Sequence, residues 1–142
     1  MDGLLPLELT AWSSWLSRYP STEVLSNETG YRRNYERTPY QEYMRTERLM
    51  FPVPSSNRLP AKEPVLGVFS NSTLRAYPLS DFSAEKPILE DRIDGKPLRI
   101  EFLPSARSLR IVEADQSLSW IYSFWFSWYA MHPDTEIYAS QP

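Results

Sequence analysis

The chain contains no cysteine and one histidine, His132. The first absence excludes disulfides, thiolate metal sites and a cysteine nucleophile. The second excludes a zinc site made mainly of imidazoles within one chain. It also leaves a serine–histidine–aspartate triad only His132 to use. Glycine is scarce, at four residues in 142, and no glycine-rich phosphate loop, nucleophile elbow or metal-ligand cluster can be read. No apolar run reaches the ~18 residues of a membrane-spanning helix. Ile121 to Met131 is strongly apolar but too short, and reads as a core element. The first residues, Met1-Asp2-Gly3-Leu4-Leu5-Pro6, have neither the basic n-region nor the apolar stretch of a signal peptide. A soluble chain without a signal peptide is therefore expected, its compartment unassigned. Positive charge is not in excess either. The net charge is −3 and the isoelectric point about 5.2, which argues against nucleic acid and anionic membranes as partners.

Aromatics and proline are abundant instead. Five Trp, nine Tyr and 13 Pro stand in a chain that is 42% hydrophobic. Proline fixes φ and removes a backbone donor, so this much of it predicts short elements joined by many turns. The length suits a single domain over 1–142, able to bury roughly two thirds of its unfolded surface.

Two stretches near the ends say nearly the same thing. One runs from Trp12 to Ser26, the other from Trp125 to Ala139. Both read Trp-x-Ser-Trp, four residues, Pro-x-Thr-Glu, then an apolar pair, without a gap. In the first, Trp12, Trp15 and Leu16 fall on one helical face. Thr10 is the expected N-cap of a helix from Ala11, and Pro20 stops it. Glu23 to Ser26 is then a short strand. In the second, Ser119 is the expected cap of a helix running through Trp125 and Trp128 to Pro133, with Glu136 to Tyr138 as the strand. The two copies are expected to pack near one another.

Between them, Asn27 to Gly30 is turn chemistry. Tyr31 to Arg48 mixes Arg, Glu and Tyr without a period and reads as a loop with a helical turn near Tyr40 to Tyr43. Leu49 to Pro60 is a proline-studded connector laid over the core. Val65–Phe69 and Leu74–Tyr77 form a hairpin across Ser70 to Thr73. Ile88–Ile93 and Pro97–Phe102 form another across Asp94-Gly95, a strong hairpin signal. Leu98, Ile100 and Phe102 alternate with Arg99 and Glu101, so one face is buried. Ser108–Val112 is a further strand. Tight turns between neighbouring strands predict an α+β fold, β-rich and mainly antiparallel, with two short aromatic-rich helices.

Lys62-Glu63-Pro64-Val65-Leu66-Gly67-Val68, then Arg75-Ala76-Tyr77-Pro78-Leu79, together with the two Trp signatures, resemble the prokaryotic domain-of-unknown-function family 3179. The resemblance covers nearly the whole chain and implies likeness to the C-terminal part of longer members. In those members a similar earlier segment leads into His-Glu and Cys-Pro-x-Cys motifs. Here Lys86-Pro87 stands in place of His-Glu, and Leu103 and Ala106 flank Pro104 where the cysteines would be. The resemblance thus implies that this chain cannot by itself do chemistry resting on those groups, and it carries no activity over.

The candidate ligand-binding residues are Arg32, Arg33, Tyr35, Arg75, Tyr77, Asp91 and His132. Arginine forks grip carboxylate or phosphate in bidentate fashion and tyrosine stacks. That makes the Arg/Tyr segment a candidate surface, although a solvated loop packing its Tyr bodies explains the same residues. Arg75, Tyr77 and Asp91 could line a pocket or form a strand-face ion pair beside a packed phenol. His132 stands where the first copy has Tyr19, which favours a shape role over acid–base work. The paired Trp could line a cleft but also simply fill cores. No catalytic residue, metal or cofactor is expected. The preferred reading is a non-catalytic binding or structural module with a small-ligand or protein partner, a second copy included. One alternative is a carboxylate/Arg enzyme acting on a saccharide or small anion, in which Glu23, Glu136, Arg32 or Arg75 converge on a concave pocket. Another is an interaction protein that pairs with a cysteine-containing partner half.

Overall fold

A computed structural model of the chain describes residues 7–138. Its seven strands form two sheets, and the fold is β-rich α+β. The first hairpin pairs β1 (Pro64–Phe69) with β2 (Leu74–Pro78), Val65 opposite Pro78. The second pairs β3 (Ile88–Ile93) with β4 (Lys96–Leu103), and β5 (Ser108–Ala114) returns beside β4. β6 (Ser119–Phe124) crosses back to lie antiparallel on β1, and β7 (Glu136–Ile137) joins the far edge of β2. The sheet orders are β6-β1-β2-β7 and β3-β4-β5. The last pairing is parallel, the one departure from an otherwise antiparallel pattern. At the β3–β4 turn Asp94 and Gly95 have φ of +52° and +76°, as a tight primed turn requires.

Alternation along β1 explains how the layers stack. Leu66 and Val68 face the second sheet and join Tyr77, Ile93, Leu98, Ile100 and Leu109 in the main core. Val65 faces the opposite way, toward a second cluster with Ala76, Trp125 and Trp128. β1 is thus buried on both sides, which is why its sequence is an unbroken apolar run and does not alternate. The second face is covered by α3 (Trp125–Met131). Gly67 is what lets α3 come close, since a Cβ there would fall inside the space held by the Trp128 ring. The connector before β1 lies over this helix. Arg58 sits 5.2 Å above the Trp125 ring and donates to the Thr135 carbonyl at 2.8 Å. Trp125 in turn donates its indole N–H to the Ser56 carbonyl at 3.2 Å.

Four expectations need correction. The strand expected at Glu23 to Ser26 does not form. Its Leu25 is 97% exposed, and the segment pairs with no strand among the described residues. The helix expected from Ser119 begins only at Trp125, because 119–124 pairs with β1 along its whole length. Local aromatic spacing suits either state, and the sheet edge decided it. The first helix, α1, spans Trp12–Arg18 after Ala11 and has no side-chain cap; the Thr10 hydroxyl is buried without a partner. Finally, the two Trp copies do not pack on each other. Trp15 lines a groove with Tyr19, Arg110, Ile111 and Trp120, whereas Trp128 stands against Gly67, Phe69 and His132. The helical turn near Tyr40 is present as α2 (Gln41–Met44).

Candidate functional site

Three of the candidate residues meet at one place. Arg75 and Tyr77 are two apart on β2, so both project from the face that meets the second sheet. There the Arg75 guanidinium lies 2.7 Å from an Asp91 oxygen on β3 and 2.7 Å from Glu136 on β7. Its Nε also donates to Glu136, at 2.9 Å. The Tyr77 hydroxyl donates to the same Asp91 oxygen at 2.6 Å, and its ring stacks on Tyr138 with centroids 5.3 Å apart. Burial and then the Asp91 carboxylate push the Tyr77 phenol well above its ordinary pKa. Burial alone would lower Arg75, yet hydrogen bonds to Glu136 and Asp91 carry it above its usual value. Each nitrogen of the Arg75 fork is engaged by a partner on another strand. Chemically this is a clasp between the sheets, with its charges mutually satisfied. Glu136 completes it from β7, which reaches the edge of β2 only after four further strands and α3.

The other candidates lie apart. Arg32, Arg33 and Tyr35 are exposed, in the stretch between the first Trp unit and α2. The Tyr35 hydroxyl lies 2.6 Å from that of Thr29. His132 caps α3. Its ring centroid is 4.3 Å from that of Trp128 and 6.3 Å from that of Phe69, and burial lowers its pKa. Glu23 is exposed and Glu136 is held by Arg75, so the two do not form a carboxylate pair. A cluster that the sequence reading missed joins the hairpin tips: Asp94 accepts from the hydroxyls of Ser70, Ser72 and Thr73, the last two at 2.7 and 2.6 Å. These three hydroxyls hold its carboxyl down at about 2. Among the described residues no group of three or more His, Asp or Glu is placed to hold a metal ion, and no helix is long and apolar enough to cross a membrane.

The two Trp units are built alike. Each helix is seven residues long. Each ends on an aromatic ring, Tyr19 at φ −130° and ψ 70° and His132 at φ −135° and ψ 67°. In each the second indole donates to a threonine hydroxyl seven positions later: Trp15 to Thr22 at 3.0 Å, Trp128 to Thr135 at 2.9 Å. Pro-x-Thr-Glu is therefore a lock that folds the chain back under its own helix. The covering differs. Trp125 and Trp128 are fully buried, and Glu136–Ile137 after Thr135 joins the sheet. Trp12 is 45% exposed and Val24 68%. No residue from 7 to 64 is buried, and the core begins at Val65.

A scan of protein families matches residues 3–135 to the family described as "Protein of unknown function (DUF3179)". Searches of curated proteins and of solved structures return no match.

Proposed function

The chain belongs to this family of unknown function, and on that premise we propose that it is a non-catalytic interaction module. Its segment 7–62 is an arm that lays the first Trp unit against the sheet edge of a partner protein. The observation that carries this reading is the contrast in cover between two units of one design. The second unit seats Trp128 on Gly67 and adds Glu136–Ile137 to β2. The first offers an indole, an aromatic cap and the pair Val24-Leu25 to solvent. Exposed apolar surface on this scale marks an interaction face, and strand addition to a sheet edge is a common mode of recognition. The β2 edge that receives the second unit is filled by β7 in this chain, and the proposal assigns the first unit to an edge strand of a different polypeptide.

The test is a photo-crosslinking side chain placed at Leu25 in the producing cell. One discrete adduct is expected, with the crosslinked residue on an edge strand of the partner, and Trp15→Ala should abolish it. No adduct, together with amide exchange in 7–62 as slow as in β1, would remove the proposal.

A further inference from the structure

Where β1, β6 and the start of β5 come together, the structure holds an apolar cavity of about 350 Å³. That lies within the range of small-molecule sites, roughly 300–1,000 Å³. Val65, Leu66, Leu79, Leu109, Phe124 and Phe126 form its walls. Two polar side chains around it are already engaged. The Tyr122 hydroxyl donates to the Leu109 carbonyl at 2.6 Å, and Ser123 to the Phe124 carbonyl at 3.2 Å. Arg107 and Ser108 are not. Arg107 is an exposed lining residue and makes no ion pair with another described residue. Ser108 beside it is 7% exposed, and its hydroxyl oxygen has no hydrogen-bond partner. Arg107 also has φ +46°, a left-handed conformation that glycine adopts at no steric cost and arginine does not. The turn thus carries a cation at the cavity where a glycine would fit the backbone better. Such outliers collect at ligand sites, where surrounding structure holds them.

We propose that this cavity binds a small apolar monocarboxylate, its hydrocarbon body between the sheets and its carboxylate on the Arg107 guanidinium. The apolar walls exclude a phosphate or a sugar, which would leave polar groups unpaired there. Among the described lining residues Arg107 is the one cation, and it selects a single negative charge, which an arginine fork takes in bidentate fashion. At ~30 Å³ for a water-sized group the cavity holds roughly ten heavy atoms, the size of octanoate. The proposal stands independently of any partner for segment 7–62.

Isothermal titration of the whole chain with octanoate, octanol and octylamine tests it. Octanoate is expected to bind one-to-one and at least tenfold more tightly than the other two. Arg107→Gly should weaken octanoate tenfold or more while leaving the melting temperature equal or higher, since the turn relaxes. Arg107→Gln, which keeps the strained backbone, should lose octanoate to the same extent. Equal binding of octanol and octanoate, undiminished octanoate binding by either variant, or no octanoate heat at millimolar concentration would each overturn the proposal.

Discussion

The unit around Trp15 and the unit around Trp128 are the same local structure in two different surroundings. Both fold a seven-residue helix back through an indole-to-threonine hydrogen bond. Only the second has a sheet to close against. There the threonine hydroxyl, 2% exposed as a residue, also donates to the Leu74 carbonyl at 3.3 Å, which ties the unit to β2. The first unit closes on itself and against a shallow groove beside β5 and β6. Arg18 stacks near both its rings, 5.7 Å from Trp15 and 5.4 Å from Tyr19, and pairs with Glu8. The comparison separates what short-range chemistry can build from what burial makes stable. A hydrogen bond between neighbours in sequence shapes a turn, while the free energy comes from apolar area removed from water.

The largest effect should come from emptying the two indole sites. Trp128→Ala should cost about 3–5 kcal/mol, the range for deleting a large buried aromatic. Trp15→Ala should cost less, about 1–2 kcal/mol, because this indole is only partly buried against its groove. Urea unfolding of the isolated protein measures both, and equal losses would break the comparison.

Next come the threonine locks. Thr135→Val leaves the buried indole N–H and the Leu74 carbonyl without their partner, and should cost about 1–3 kcal/mol. Thr22→Val exposes its indole N–H to water, which replaces the lost bond, so about 0.5 kcal/mol or less is expected. Thermal unfolding of the pair of variants decides whether cover or the bond itself sets the value.

The smallest effect exchanges the caps. Burial lowers the His132 pKa, so the folded state binds its proton less readily than the unfolded one. The contribution of the neutral ring is present above the unfolded value of about 6.5 and fades as pH falls through the lower folded value. His132→Tyr puts the first unit's residue into the second. It should leave stability at pH 8 nearly unchanged and remove the part of the stability loss between pH 7 and 5 that belongs to this ring. Melting temperatures across that range check it, and an unchanged pH slope would show that His132 is not the titrating group.

Much of the fold was legible because its signals are local. Asp94-Gly95 and Ser70 to Thr73 encode turns by backbone preference, and the strands on either side pair where the alternation places them. The helix stops at Pro20 and Pro133 rest on the same kind of rule. What misled was any stretch whose state depends on a distant neighbour. Ser119 to Phe124 has the aromatic spacing of a helix but meets an open edge of β1. Glu23 to Ser26 has the composition of a strand but pairs with none of the described strands. The candidate site divides in the same way. Arg75 and Tyr77 share a strand face by period two, so their joint placement was readable. Asp91 could be grouped with them as an ion-pair partner, whereas the place of Glu136 depends on β7 reaching the far edge of β2. Arg107 and Ser108 were missed altogether, since an arginine in a turn gives no sign of its φ or of the cavity beside it.

By itself the sequence determined the two helix-turn units, the hairpins, the lack of thiol chemistry and the acidic balance, because each follows from backbone preference or from composition. Tertiary structure alone decided which unit is buried, which strand candidate pairs, and that the Arg75 charges are spent holding two sheets together. Those outcomes depend on long-range packing, and only a sheet face such as Gly67 on β1 turns a locally formed indole lock into core.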